Sequence, residues 1–282
     1  MRRAALLAAL ALLAACDTTS TPEVAPSNSP RIVTLAPHLA EILFAVGAGD
    51  RLVGVSAYSD YPAEVLELPL VGDAFTVDQE QLKLLRPDIL LAWESGMPAS
   101  TIDELRLAGY RVEVIRTRGL ADIEAAIRRI GELADAGVAA EQLADEFRLR
   151  LRRLSGMGAS AKPFAIFYQI AERPLYTVNG DHYISEILEL CGAYNIFMDL
   201  DELAPSVDVE AVVARNPEVL AAAGNGSSLD VWKAFDTIDA VKHSRFLVLP
   251  ADEIGRPGPR VLIAAEAACE ALAGMRFQQS PP

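Results

Sequence analysis

The chain has 282 residues, with 39 acidic against 25 basic side chains and a formal net charge of −14 at pH 7. That sign of surface argues against nucleic acid or anionic lipid as a partner. With 51% hydrophobic residues, the length suffices for one large domain or two lobes with cores of their own.

The N-terminus reads as an address. Arg2 and Arg3 precede an apolar stretch, Ala4 to Ala15, long enough for a signal-peptide core and too short to span a bilayer. Leu13-Ala14-Ala15-Cys16 resembles the bacterial lipobox, so residues 1–15 are expected to be removed and Cys16 to be lipidated. The segment up to Pro30 is rich in Ser, Thr and Pro and poor in large apolar residues, so residues 16–30 should form a tether. Extended, it reaches roughly 45 Å. No later segment has membrane-spanning length.

Short apolar runs then alternate with helical patterns, at Arg31 to Leu35, Arg51 to Val55, Ile89 to Trp93 and Arg111 to Ile115. A second series follows at Phe164 to Tyr168, Val219 to Ala223 and Phe246 to Leu249. Buried parallel strands are the simplest reading. Between the two series, Leu143, Phe147, Leu151 and Leu154 fall on one face of a helix predicted over 139–157. The glycines and serines that follow break it, and Pro163 opens the next strand. The chain is therefore expected to be α/β, with an N-terminal lobe at 31–138, the linking helix, and a C-terminal lobe at 158–277.

The halves echo each other. Glu41-Ile42-Leu43 stands ahead of Gly47, and Glu186-Ile187-Leu188 ahead of Gly192, with the same spacing from glutamate to glycine. Asp78-Gln79-Glu80 leads to Arg86-Pro87-Asp88-Ile89-Leu90, as Asp208-Val209-Glu210 leads to Arg215-Asn216-Pro217-Glu218-Val219-Leu220. A duplication accounts for both, and two similar lobes would enclose a cleft suited to a ligand. Asp78 and Asp208 are natural helix caps, with Glu80 and Glu210 in first turns where the helix dipole favours anions. Equivalent placing in duplicated lobes also suits two acidic knobs for a symmetric basic partner. Pattern alone leaves both readings open.

Loops at the carboxyl ends of strands should line the cleft. There the sequence places Tyr58, Trp93, and an Asp252/Arg256 pair. Aromatic faces with a polar edge suit a large planar ligand, although each residue also has a plain reading as packing or a loop charge. Chemistry beyond binding is not signalled. There is no His-Glu-x-x-His, no Gly-x-Ser-x-Gly and no P-loop, so no catalytic residue is assigned. His38, His182 and His243 are widely separated, and no metal site is assigned. Gly224-Asn225-Gly226-Ser227-Ser228 is read as a loop. Beyond Cys16, Cys191 and Cys269 form an even remainder that favours one disulfide in an exported chain; two buried thiols are the alternative.

Five stretches carry a family resemblance: Arg31 to Pro37, Val53 to Pro62, Pro87 to Trp93, Cys191 to Phe197, and Pro259 to Cys269. They resemble the vitamin B12-binding proteins of ABC importers, helix-hinged solute-binding proteins related to siderophore and haem binders. The resemblance implies two Rossmann-like lobes joined by a single long α-helix, the class III periplasmic binding protein architecture. It further implies that Tyr58, Trp93 and Tyr176 contact a corrin, that Asp252 and Arg256 make polar contacts, and that Glu80 and Glu210 dock on a permease. Cys191 and Cys269 match the family disulfide. Family tryptophans are replaced at Ala74 and Ala204, with Phe75 the nearby aromatic. The expected function is capture of cobalamin or a related corrinoid by a monomeric lipoprotein, without a resident cofactor. Delivery would be to a permease and its ATPase at the periplasmic face of a membrane. Haem or a ferric siderophore, ligated by a tyrosine or His38, is the alternative cargo, and a carboxylate enzyme the remote one.

Overall fold

The computed structural model describes residues 29–158 and 162–277. The leader, Cys16 and most of the tether lie outside them.

The first half runs β1 (Ile32–Thr34), α1 (Pro37–Ala45), β2 (Leu52–Val55), α2 (Gln79–Leu85), β3 (Ile89–Trp93), α3 (Ala99–Leu107), β4 (Val112–Ile115) and α4 (Leu120–Leu133). Its strands are parallel in the order β2-β1-β3-β4, with Ile32 opposite Ile89 and Thr34 opposite Leu91. Helix α5 (Gly137–Gly158) follows. The second half is β5 (Phe164–Gln169), a hairpin of β6 (Ala171–Glu172) and β7 (Leu175–Tyr176), α6 (Tyr183–Leu190), β8 (Ala193–Asn195), α7 (Val209–Arg215) and β9 (Val219–Ala223). It ends with α8 (Asp239–Lys242), β10 (Phe246–Leu249), α9 (Ala251–Gly255) and α10 (Val261–Phe277). Its main sheet is parallel in the order β10-β9-β5-β8.

Matching β1 to β5, β2 to β8, β3 to β9 and β4 to β10 makes the two sheets topologically identical. The finer echoes hold too. Asp78 Oδ1 accepts from the backbone N–H of Glu80 (3.0 Å) and Gln81 (2.9 Å), and Asp208 Oδ1 from Ala211 (2.6 Å). Helices α2 and α7 both end in a left-handed residue, Arg86 at φ 44° and Asn216 at φ 43°. Gly47 and Gly192 both sit at positive φ, 75° and 77°, where a side chain would be strained.

Strand alternation feeds two cores per sheet. In β5, Phe164, Ile166 and Tyr168 face one core while Ala165 and Phe167 face another; in β3, Ile89 and Leu91 part from Leu90 and Ala92 in the same way. The inner core is continuous across the halves, uniting Ile42 of α1, Ile127 of α4, Phe147 of α5, Ile187 of α6 and Ala268 of α10. Phe147 and Leu154 of the expected helical stripe are buried, and Leu143 and Leu151 pack on the same core.

The helix begins two residues before the 139–157 range, directly after a turn in which Asp135 takes φ 53°. Two features were not foreseen. β8 is three residues long and carries no β-branched residue, and β6 and β7 are two residues each, too short for a periodic signal. Of the Gly224 to Ser228 stretch read as a loop, Ser227 and Ser228 already belong to a 3₁₀ segment over Ser227–Ala234. Cys191 and Cys269 are disulfide-bonded, tying the end of α6 to α10. No helix of the described residues is long and apolar enough to cross a membrane.

Candidate functional site

The carboxyl ends of β1, β2 and β3 form one wall. After β2, Tyr58 adopts φ 66° and stands 83% exposed, held through the bonds Ser56 N–H to Thr34 O (2.9 Å) and Ala57 N–H to Gly72 O (2.7 Å). Gly72 opens a tight turn at φ 102°, where a Cβ would lie 2.0 Å from Thr76 O. Asp73 Oδ1 braces that turn by accepting from the N–H groups of Phe75 and Thr76, both at 2.8 Å, and Phe75 projects into solvent from its tip. Trp93 ends β3, half-buried, with its ring 4.9 Å from that of His38 in an edge arrangement. Gly96 makes room for the indole, since a Cβ there would fall 2.0 Å from Trp93 Cε3. Tyr58, Phe75, Trp93 and the Leu35-Ala36-Pro37 corner enclose a recess of about 250 Å³. It is mostly apolar, with Ser56, Asp73 and the tyrosine among its lining residues, a surface on which a planar ligand can stack.

Arg256, just after α9, meets this wall from the other half. Its Nη1 donates to Asp60 Oδ1 (2.6 Å) and Glu41 Oε1 (3.0 Å), and its Nη2 donates to Tyr58 O (3.3 Å). Asp252 Oδ1 lies 3.3 Å from Nη2. Arg260 adds an ion pair to Glu41 Oε2 (3.4 Å) and lies 4.0 Å over the Tyr61 ring. The Glu41 side chain is only 2% exposed. Burial pushes its carboxyl above the ordinary carboxylate range, opposed by the two guanidiniums. The hydrogen bond from Arg256 holds the exposed Asp60 below that range. His38 is buried beside the same arginine; burial first, and Arg256 second, push its imidazole down to about 3, so it is neutral at ordinary pH.

The structure thus gathers Tyr58, Trp93, Asp252 and Arg256 of the expected site, with Tyr58 touching Arg256 through its carbonyl. Tyr176, on β7 opposite Ala171, does not line the aromatic recess. Arg256 is engaged by three carboxylates rather than by Asp252 alone. Glu41 and Asp60 were missed, because a helical glutamate and a loop aspartate carry no local mark of a partner about 200 residues away. The repeated glutamate of the two halves was the available signal. Glu80 and Glu210 are exposed on the first turns of α2 and α7, beside their capping aspartates. Among the described residues, no three His, Cys, Asp or Glu side chains gather to hold a metal ion.

Two α/β lobes on one helix, with an aromatic recess on the first and a charged seam joining it to Arg256 of the second, define the architecture of a solute-binding protein. The chain belongs to the periplasmic binding protein family, whose sequence pattern matches residues 32–253. It is 37% identical over 251 residues to the vitamin B12-binding protein of Vibrio cholerae serotype O1, covering 88% of this chain and 90% of that one. The vitamin B12-binding protein of Yersinia pestis is 32% identical over 245 residues, 87% of each chain. The crystal structure of the periplasmic vitamin B12-binding protein BtuF of Vibrio cholerae matches with a TM-score of 0.81 at 35% identity, over 89% of this chain and 99% of that one. A periplasmic haem-binding protein, BhuT, shares the fold at 22% identity and a TM-score of 0.75, over 87% of this chain and 98% of that one. The family is one of solute-binding proteins, not of enzymes.

Proposed function

We propose that this chain captures cobalamin or a related corrinoid between its lobes and delivers it to the permease of an ABC importer. The observation that carries the reading is the aromatic recess of Tyr58, Phe75 and Trp93 opening beside Arg256, in a chain 37% identical to a vitamin B12-binding protein. The corrin face stacks on Tyr58 and Trp93, with Tyr176 meeting it from the second lobe. Arg256 donates to side-chain amide carbonyls, and Asp252 accepts from amide N–H groups. Ala74 and Ala204 leave more room than tryptophans would, and Phe75 supplies the aromatic surface nearest Ala74.

Glu80 and Glu210 dock on basic residues of the permease, whose ATPase drives uptake. Cys16 carries the lipid that keeps a monomeric receptor at the periplasmic face, raising its effective concentration near the permease. Closure on cargo is modest, because the inner core runs unbroken from α1 through α5 to α10 and a packed core resists hinging.

Purified residues 27–282 are mixed separately with cyanocobalamin, haemin and a ferric siderophore, desalted, and read by absorbance. Retention of cyanocobalamin at micromolar protein is expected. Retention of haemin or the siderophore instead transfers the reading to that cargo, and retention of none refutes capture of all three.

A further inference from the structure

The echo between the halves extends to what their matching glutamates touch. Glu41 stands in α1 and Glu186 in α6, each six residues before its positive-φ glycine. Both side chains leave their own lobe for the start of the other lobe's last helix. Glu186 Oε2 accepts from the backbone N–H of Leu120 (2.7 Å), the first residue of α4. Gly119 permits this, since a Cβ there would lie 2.7 Å from Glu186 Oε1. Glu41 reaches the segment that leads into α10, where it meets Arg256 at 3.0 Å and Arg260 at 3.4 Å.

The two staples differ in one respect. Glu186 takes a backbone amide directly, whereas Glu41 takes a guanidinium that also borders the cleft. A carboxylate that is 2% exposed persists only when paired, and removing its partner leaves a costly buried charge. Asp60 and Asp252, which share the same guanidinium, are 53% and 61% exposed. The inner partner is therefore fixed and the outer ones are free to leave.

We propose that Glu41 is the positioning residue of the cleft's cation: it holds Arg256 from the lobe opposite, aiming the remaining N–H groups at the cargo, while Asp60 and Asp252 are outer partners that cargo displaces. Glu186 is its counterpart in the duplicated lobe and holds a backbone amide instead of a cation. This rests on the reading that Arg256 contacts cargo.

The test is a double-mutant cycle in cyanocobalamin affinity with Glu41→Gln, Arg256→Ala and the double variant, with Glu186→Gln as control. Coupled contacts of this kind give about tenfold effects. Glu41→Gln should weaken binding by about that factor, the double variant should bind no more weakly than Arg256→Ala alone, and Glu186→Gln should stay within about twofold of the parent. Glu41→Asp keeps the charge but withdraws the carboxylate by one methylene, and should show the same non-additivity if Glu41→Gln fails to fold. Additive losses, or unchanged affinity in Glu41→Gln, overturn the proposal while leaving Arg256 a cargo contact. Unchanged affinity in Arg256→Ala removes that contact, and the proposal with it.

Discussion

Two of the three histidines should make the folded chain acid-sensitive well above the pH at which its carboxylates protonate. His38 is buried and lowered to about 3, and His182 is lowered to about 4 by burial. His182 also caps α6 by accepting from Ile184 N–H at Nδ1 (3.2 Å), a bond its protonated form cannot accept. Each folded pKa lies below the unfolded value near 6.5, so the unfolded chain binds more protons between the two. Stability is full above about pH 6.5 and falls as pH drops towards the folded values. Between pH 7 and 5 a histidine shifted this far loses about 2 kcal/mol; His182, only partly buried, contributes less, giving roughly 3 kcal/mol for the pair. Glu41 works the other way, since a raised carboxyl favours the folded state as it protonates, and it trims the loss. The lowered carboxyls of Asp60, Glu94 and Glu113 act only below the ordinary carboxylate range, outside this window. Urea unfolding at pH 7, 6 and 5, followed by the fluorescence of Trp93 and Trp232, measures the slope. His38→Gln should remove about 2 kcal/mol of the pH dependence. Equal stability at pH 7 and 5, or a full slope in His38→Gln, refutes the argument.

Phe147→Ala, which opens a cavity where α5 joins both lobes, should cost about 3–5 kcal/mol and lower the urea midpoint without altering the helix-dominated far-ultraviolet circular dichroism of the folded chain. Replacing Cys191 and Cys269 together by alanine opens a loop with a sequence separation of 78 and should cost up to about 4 kcal/mol, read by the same unfolding assay. Glu80→Ala with Glu210→Ala should leave cyanocobalamin binding intact and abolish uptake in cells that depend on this receptor. Loss of binding instead would place those glutamates in the cleft rather than on the docking rim.

Much of the frame was legible in local pattern. The strands at 89–93, 219–223 and 246–249 have the bounds that their apolar runs indicate; the first two are buried on both faces, which needs an unbroken apolar run, while the third is an edge strand with Val248 exposed. The stripe Leu143, Phe147, Leu151 and Leu154 is periodic because one face of α5 is sunk in the shared core. Asp78 and Asp208 announce helix starts because a cap acts on its own neighbours two and three residues on. Strand β8 and the β6–β7 hairpin escaped notice because three and two residues complete no readable period.

The candidate site divides the same way. Sequence determined that Tyr58 and Trp93 stand at or just past strand ends, that Asp252 and Arg256 follow a strand four residues apart, and that the halves are copies, because each of these depends on neighbours in the chain or on repetition along it. That Asp252 stands in the short helix α9 rather than a loop was not among them. Only the tertiary structure decided that Arg256 is held by Glu41 and Asp60, 215 and 196 positions away. Ion pairing depends on distance in space, and a chain folded into two lobes brings together charges whose separation along the sequence carries no trace of their meeting.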